Sequence, residues 1–325
     1  MKKVIAIGEA LIDFIPDRKG CGLKDVVSFE RVVGGAPANV CAAISKLGGA
    51  SSFISQLGKD AFGDHIIEVL EAVGVDTTYV QRTNKANTGL AFVSLKEDGN
   101  RDFSFYRNPS ADMLLSEASI EQSWFENSHS LHFCSVDLIE SPMKYAHLKA
   151  IEYATQAGCM ISFDPNVRLP LWKSESACRE AILDFLPKAH VLKISDEEIE
   201  FITGHSTIEE ALPTLFKGKV ELVIYTEGGA GARAYTKQNH VKVVGRKINV
   251  VDTTGAGDSF IGAFLYQLAH HEVSVAQLAT LKVEILEKYL TFANNYAAYS
   301  AEGKGAVQSY ATLEALETRI LEWDK

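Results

Sequence analysis

The sequence lacks the features that would indicate a disulfide-bonded, zinc-binding or membrane-spanning protein. Its 325 residues include only five cysteines and no C-x-x-C pair, so we expect neither a disulfide framework nor a structural zinc site. No run of about 18 apolar residues occurs, and Glu9 and Asp13 interrupt the apolar N-terminal run too early for a signal peptide. These absences predict a cytoplasmic protein without a membrane partner.

A basic surface is also absent from the sequence. The chain has 42 acidic and 32 basic residues, which gives a formal net charge of −10 at pH 7, and it contains no long run of lysine or arginine. Nucleic acids and anionic membranes are bound by basic patches, so we expect neither as a partner and favour a small molecule instead. Hydrophobic residues make up 46% of the chain, which is enough for a large core.

Short apolar runs rich in β-branched and aromatic residues alternate with helical patterns along the chain. The runs lie at 4–8, 52–55, 131–135, 160–165, 191–195 and 221–226. This alternation predicts an α/β fold in which a Rossmann-like, mainly parallel sheet is covered by helices on both faces. A late amphipathic pattern from Val283 to Ala297 predicts a helix that packs on one of those faces.

Two segments depart from that alternation and predict short antiparallel strands. The sequences TGLAFVSL and RDFSFYR predict a hairpin with its tip at Asp98-Gly99-Asn100. A small sheet inserted early in an α/β chain could cover a cleft as a lid. We therefore predict a single domain over residues 1–325, with a lid built from about 11–33 and 86–110.

The stretch VVDTTGAGDSFIGAFLYQL, residues 250–268, places Asp258 directly after three small residues at a predicted helix start. A helix N-terminus offers unpaired N–H groups and the positive end of the helix dipole, which together attract anions such as phosphate. Asp258 is therefore either an ordinary first-turn acid or a base beside an anion hole. The stretch alone leaves both interpretations open.

A second stretch, GGAPANV at 34–40, again combines glycines, a proline suited to the first helical turn and an apolar helix. By itself it could be no more than a helix start, although the polar Asn39 one turn in could hold a polyol. The glycine-rich TEGGAG at 226–231 follows a predicted strand and could similarly be an ordinary turn.

Taken together, GGAPANV and DTTGAGDSFIGAF resemble the two signature motifs of the ribokinase-like (PfkB) sugar kinase family, in the family's order and with its strand pattern between them. The resemblance implies a Rossmann-like domain with a small β-sheet lid over the sugar. The segments FYRNPSADMLL (105–115) and DPNVR (164–168) are similar to the fructokinase subgroup. The implied reaction is transfer of the γ-phosphoryl group of ATP to the 6-hydroxyl of D-fructose. A 2-keto-3-deoxygluconate kinase, or another sugar kinase of the family, is the alternative.

The resemblance also implies roles for individual residues. Asp258 is the expected general base, because a carboxylate within hydrogen-bond reach can take the proton of a sugar hydroxyl, and Gly255, Ala256 and Gly257 are the expected anion hole. Arg107 is expected to reach the sugar from the lid, where its planar fork can bind two oxygens, although an arginine on an edge strand is commonly a solvated surface residue. The expected sugar contacts are Asp13, Gly34, Gly35, Asn39, Arg107, Arg168 and Asp258. The expected nucleotide contacts are Thr226, Gly228, Gly231, Gly257 and Asn294.

Two ion sites follow from the same resemblance. Glu198 matches the family's glutamate that holds Mg²⁺ through water, while Ser195 replaces the usual asparagine. The sequence SDEE is equally accounted for by an acidic helix start with a serine cap. Asp252 and Thr254 match ligands of a monovalent cation such as potassium, to which the loop at 301–309 would add backbone oxygens. ATP, Mg²⁺ and possible K⁺ are thus the expected ligands.

Other classes of protein fit the sequence less well. An NAD-dependent dehydrogenase requires G-x-G-x-x-G after the first strand, and IGEALID has a single glycine there. An inactive sugar-binding relative would be expected to have lost the base or the anion hole, and GAGD is complete. Members of the family often dimerise through their lid sheets, so a homodimer is an open possibility.

Overall fold

The computed structural model describes residues 1–18, 20–95 and 101–325. The strands are β1 (Lys3–Ile7), β2 (Leu11–Pro16), β3 (Phe29–Gly34), β4 (Ser51–Gly58), β5 (Val80–Thr83), β6 (Gly89–Leu95), β7 (Arg101–Tyr106), β8 (Ser128–Cys134), β9 (Met160–Asp164), β10 (Val191–Ser195), β11 (Leu222–Thr226), β12 (Gly231–Thr236) and β13 (His240–Val244). The helices are α1 (Ala36–Lys46), α2 (Ala61–Ala72), α3 (Pro142–Gln156), α4 (Glu175–Phe185), α5 (Asp196–Thr203), α6 (Ile208–Leu215), α7 (Ala256–His270), α8 (Val275–Leu278), α9 (Val283–Ala301) and α10 (Leu313–Trp323).

The large sheet is nine-stranded and has the order β13-β12-β11-β10-β9-β8-β1-β4-β5. Neighbouring strands from β11 to β5 run parallel, and the antiparallel pairs β11–β12 and β12–β13 extend one edge. The predicted α/β fold with a mainly parallel sheet is confirmed. In the part of the chain that the structure describes, no helix has the length and hydrophobicity needed to span a membrane.

Helices cover the sheet on both faces, because the strand side chains alternate between two apolar cores. Val4 and Ala6 of β1 belong to the core that also contains buried residues of α1, α2, α7 and α9. Ile5 and Ile7 of the same strand belong to the core formed with α3, α4, α5 and α6. Strands that are apolar on both faces are typical of a parallel sheet buried in this way.

The lid is a separate four-stranded sheet with the order β3-β2-β6-β7. The predicted small β-sheet lid is confirmed, and two of its pairs are antiparallel as expected, whereas β2 and β6, whose pairing was not predicted, run parallel. The reason is topological: β2 follows β1 and β6 follows β5, two strands of the same parallel sheet, so both enter the lid from the same edge. The predicted hairpin tip at Asp98-Gly99-Asn100 lies outside the described residues.

Several polar residues, among them the predicted Thr226, lie where the parallel strands end. Glu9 follows β1 by two residues, and Asp164, Ser195 and Thr226 are the last residues of β9, β10 and β11. Because the carboxyl ends of parallel strands meet at one edge, these residues lie along the same side of the sheet as the lid. Ligands of open α/β sheets bind at this edge.

Candidate active site

The first turn of α7 carries the GAGD motif. Gly255 has a left-handed backbone with φ of 74°, and a Cβ there would come within 2.5 Å of the Cβ of Ala306, so the position requires glycine. The amide of Ala256 donates to the carbonyl of Thr253 at 3.2 Å. Among the described residues we find no acceptor for the amides of Gly257 and Asp258. These two N–H groups, at the positive end of the helix dipole, are therefore available to an anion.

The carboxylate of Asp258 is partly buried beside this turn. Its Oδ2 accepts a hydrogen bond of 2.8 Å from Nδ2 of Asn39 on α1. Burial raises the pKa of Asp258 above its usual range, while the hydrogen bond from Asn39 and the positive charges of Arg168 and Lys193 oppose that rise. A carboxylate with a raised pKa is a better proton acceptor than an exposed one, which suits a general base.

The glycine pair before α1 is constrained by the residues that follow β1. A Cβ on Gly34 would collide with the carboxylate of Asp13, so Asp13 on β2 lies directly over this glycine. Gly35 has φ of 111°, and a Cβ there would collide with the carbonyl oxygen of Glu9. The amide of Ala36 donates to Oε1 of Glu9 at 3.0 Å. Both positions therefore require glycine, because neither leaves room for a side chain.

Arg107 follows β7 and is buried, with only 7% of its surface exposed. Its Nη2 forms ion pairs with the carboxylates of Asp112 and Asp137, the second at 2.5 Å. Glu9 lies within electrostatic range, and burial raises its pKa to about 7, although Arg107 opposes that rise. The structure therefore places the guanidinium among three acids. The possibility that it is a solvated surface arginine is excluded, and its contact with sugar stays a prediction.

A second buried ion pair joins β9 and β10 on the other side of Asp258. Nζ of Lys193 donates to Oδ2 of Asp164 at 2.7 Å, and both residues are buried. Burial raises the pKa of Asp164 to about 6, and the positive charge of Lys193 opposes this rise. Arg168 is exposed and donates to the carbonyl of Val167 at 2.9 Å. Lys193 was not among the predicted site residues, although a lysine inside the apolar run VLKIS was a signal that a buried charge was present.

Glu198 lies in the first turn of α5, where its side chain hydrogen-bonds the N-cap residue Ser195. Its Oε2 accepts from both the amide and the hydroxyl of Ser195, at 3.0 and 2.8 Å, and its Oε1 accepts from the amide of Val167 at 2.7 Å. The capping box that the sequence offered as one explanation of SDEE is therefore present. The role of Glu198 toward Mg²⁺ stays a prediction.

Asp252 connects the segment before α7 to the loop at 301–309. Its Oδ1 accepts from the amide and hydroxyl of Thr254 at 3.0 and 2.7 Å, and its Oδ2 accepts from the amide of Gly305 at 3.0 Å. The two segments that were predicted to hold a monovalent cation are thus adjacent.

The predicted nucleotide residues lie around the end of the sheet formed by β11, β12 and β13. Thr226 ends β11, and Gly228 and Gly231 follow with positive φ values of 51° and 109°. A Cβ on Gly231 would collide with the carbonyl oxygen of Val243, and Nδ2 of Asn294 on α9 lies 3.5 Å from the same oxygen. The structure therefore brings Asn294 close to the glycine turn.

Comparison with known proteins agrees with the resemblance. The model of the pfkB family carbohydrate kinases matches residues 1–313. Fructokinase-2 of Oryza sativa subsp. japonica is 41% identical over 318 residues, which cover 98% of this chain and 93% of that protein. The structure of a fructokinase with bound ATP from Xylella fastidiosa has a TM-score of 0.92 and 30% identity and covers 99% of both chains. A double mutant of the Vibrio cholerae O395 fructokinase, in a form with fructose, ADP and potassium ion bound, has a TM-score of 0.85 and 32% identity over 98% of both chains.

Proposed function

Because this chain belongs to the pfkB family of carbohydrate kinases, we propose that it transfers the γ-phosphoryl group of ATP to the 6-hydroxyl of D-fructose. The observation that carries the proposal is the Asn39–Asp258 hydrogen bond, which places a carboxylate of raised pKa beside the free amides of α7. The choice of fructose is supported by the similar Vibrio cholerae enzyme, whose structure contains fructose and ADP.

In the proposed reaction Asp258 takes the proton of the 6-hydroxyl. The sugar oxygen forms a bond to the γ-phosphorus as the bond from that phosphorus to the bridging oxygen breaks, and ADP leaves with the electron pair. The backbone of residues 255–258 stabilises the charge on the transferring group, with the amides of Gly257 and Asp258 as direct donors.

The sugar lies between the glycine pair and the lid in this proposal. Asp13, Gly34, Gly35 and Asn39 contact its hydroxyl groups, and Arg168 approaches it from the end of β9. The whole chain, residues 1–325, acts as one catalytic domain, and the inserts at about 11–33 and 86–110 form a lid that excludes water from the reaction.

The nucleotide lies at the end of the sheet near β11 and α9, in contact with Thr226, Gly228, Gly231 and Asn294. Mg²⁺, when bound, neutralises charge on the β- and γ-phosphates. Both oxygens of Glu198 already accept protein N–H groups, which suits an indirect contact through water better than direct coordination. The adjoining segments at Asp252, Thr254 and 301–309 are the proposed potassium site, and the potassium ion in the Vibrio cholerae structure supports it.

The ion pairs of Arg107 favour a neutral sugar over an acidic one. A sugar carboxylate would need an uncompensated cation, and on the lid side Arg107 is already paired with the buried carboxylates of Asp112 and Asp137, which leaves the exposed Arg168 for this role. The third acid of this cluster, Glu9, adds to the negative surroundings. We therefore rank fructose above 2-keto-3-deoxygluconate.

A coupled assay of ADP release over fructose, ribose, 2-keto-3-deoxygluconate, tagatose 6-phosphate and adenosine tests the proposal. We expect kcat/KM to be highest for fructose by at least about tenfold, and phosphorus NMR of the product to show fructose 6-phosphate. Activity confined to another sugar, or phosphorylation at a different hydroxyl, would overturn the assignment.

We also propose that two copies pair through their lid sheets. The lid exposes Val27 and Tyr106, which keep 88% and 64% of their surface accessible. Sedimentation of the wild type and of a Tyr106→Ser variant tests this pairing, and a monomeric wild type would contradict it.

A further inference from the structure

Lys193 is a buried lysine at the edge of the proposed phosphoryl site. It lies in the middle of β10, keeps only 5% of its surface exposed and points toward α7. Its Nζ is 3.6 Å from the position that a Cβ on Gly257 would occupy. The ammonium group therefore lies beside one of the two amides that are free to bind an anion.

The Lys193–Asp164 pair is incomplete as a hydrogen-bonded unit. An ammonium has three N–H bonds, and within the described part of the chain Oδ2 of Asp164 is the acceptor that we find for them. The other oxygen of Asp164 is buried and has no hydrogen-bond partner. The unpartnered oxygen of Asp164 is an acceptor and cannot bind a phosphate, so the bonding capacity left for an anion lies in the remaining N–H groups of Lys193.

The hydroxyl of Ser195 is not free to donate a hydrogen bond to a phosphate at the end of β10. Residues 193 and 195 alternate with 194 along β10, so their side chains point to the same side of the sheet. The hydroxyl of Ser195, which stands where the resemblance predicts an asparagine, donates to Glu198 at 2.8 Å. Lys193 is thus the residue of this strand that retains donors for a phosphate.

The charges around Lys193 explain why a cation is needed there. Asp164, Glu198 and Asp258 all lie within its electrostatic range. Burial alone would lower the pKa of Lys193, but these carboxylates raise it above its usual range, so the ammonium remains protonated at neutral pH. These three carboxylates would repel an approaching phosphate, and Lys193 adds a positive charge to the amides of α7 that oppose this repulsion; a lysine ammonium is a common binder of phosphate.

We propose that Lys193 donates a hydrogen bond to the transferring γ-phosphoryl group and that Asp164 positions its ammonium for this contact. The proposal rests on the function proposed above. Lys193 neither gains nor loses a proton during the reaction. It offsets negative charge on the phosphoryl oxygens while their phosphorus atom moves from ADP to the sugar oxygen.

The variants Lys193→Met, Lys193→Arg and Asp164→Asn test the proposal. We expect Lys193→Met to lower kcat about 100-fold, in the range found when one transition-state donor is removed. Calorimetry should show weaker binding of the ATP analogue AMP-PNP, by about tenfold or more, with the affinities for ADP and fructose nearly unchanged. Lys193→Arg keeps the charge and should recover part of both losses. The matched control is Lys219→Met, which replaces an exposed lysine near the opposite end of the neighbouring strand β11.

Two results from a folded Lys193→Met variant would overturn the role of Lys193, and so would a third result from Asp164→Asn. One is wild-type kcat together with wild-type AMP-PNP affinity in a folded Lys193→Met. The second is an equal loss of ADP and AMP-PNP affinity, which would place the lysine at another part of the nucleotide. If Lys193→Met does not fold, Asp164→Asn decides: we expect kcat to fall about tenfold without a change in fructose affinity, and an unchanged kcat contradicts the proposal. Absence of fructose phosphorylation by the wild type would refute the proposed function, whereas the AMP-PNP and ADP comparison would still test Lys193.

Discussion

Asn39 and Asp258 lie 219 residues apart in the sequence, and a hydrogen bond of 2.8 Å joins the amide of one to the carboxylate of the other. The helices that carry them, α1 and α7, pack closely: a Cβ on Gly262 of α7 would lie 2.8 Å from the Cβ of Ala43 on α1. The proposed base is therefore held by both sequence motifs, and a change in either motif should alter its chemistry.

Replacing Asp258 by Asn should remove the proposed base while keeping its size and its place beside Asn39. We expect kcat to fall about 1,000-fold or more, because proton transfer to a positioned group contributes on this scale. Fructose affinity measured by calorimetry should change little. The control is Asp184→Asn, whose carboxylate is 64% exposed on α4. A turnover rate in Asp258→Asn within tenfold of the wild-type rate would refute the role of Asp258.

Replacing Asn39 by Ala should change the pH dependence of the reaction. The hydrogen bond from Asn39 lowers the pKa of Asp258, so its loss raises that pKa further above the usual range. Because only the ionised carboxylate can accept the proton, the acid limb of the kcat/KM profile should move to higher pH. Activity should therefore fall more at pH 6 than at pH 8, with a loss of about tenfold from the missing bond to a charged group.

Asn239→Ala is the matched control for this measurement, since the side-chain amide of Asn239, between β12 and β13, donates to the backbone carbonyl of Leu281. If the acid limb of Asn39→Ala coincides with that of the wild type, the hydrogen bond does not tune the base.

Much of the fold and part of the site follow from local sequence patterns. The alternation of strands and helices predicted the mainly parallel sheet, and the glycine-rich motifs marked the starts of α1 and α7. The ion pairs were not predictable in the same way, because Arg107 meets Asp137 thirty residues later and Lys193 meets Asp164 on the neighbouring strand. These ion-pair partners are brought together by the arrangement of the strands in the folded protein, and their spacing in the sequence does not predict the contact.

The same distinction applies to single residues. Gly35 was recognisable from the GG pair, and the structure shows why glycine is needed there. The resemblance assigned Arg107 to the sugar, yet the sequence did not indicate that Asp112, five residues later, and the more distant Asp137 would already pair with it. The parallel pairing of β2 with β6 was missed for a comparable reason, since it depends on the direction of the large sheet beneath the lid.

Alanine at Gly35 should damage both stability and sugar binding. The backbone there has φ of 111°, and the added Cβ would collide with the carbonyl oxygen of Glu9 and lie 2.7 Å from the Cα of Ala10. We expect the free energy of unfolding to fall by about 3 kcal/mol or more, measured with urea, and fructose binding to weaken with it.

Gly48→Ala is the control that separates the backbone strain of a positive φ from the steric collision expected at Gly35. Gly48 has φ of 83° but no neighbouring atom within 4 Å of an added Cβ, so it should lose only about 1 kcal/mol. Equal losses in the two variants would mean that the close approach of Glu9 to Gly35 is unimportant.

Glu9 should make the stability of the protein depend on pH. Its carboxyl group is buried beside Arg107 and Asp112, and burial raises its pKa from 4.5 to about 7. Between these two values the folded state binds more protons than the unfolded state, so the free energy of unfolding falls as the pH rises through this range. The total contribution is about 3 kcal/mol at most. Glu9→Gln keeps the shape but cannot ionise, so its urea-measured stability should fall less between pH 5 and pH 8 than that of the wild type. Asp137, whose pKa is also raised, titrates in both proteins, so the difference between them reports on Glu9.

The exposed Glu152→Gln serves as control, and parallel stability curves for Glu9→Gln and the wild type would show that Glu9 is not the titrating group.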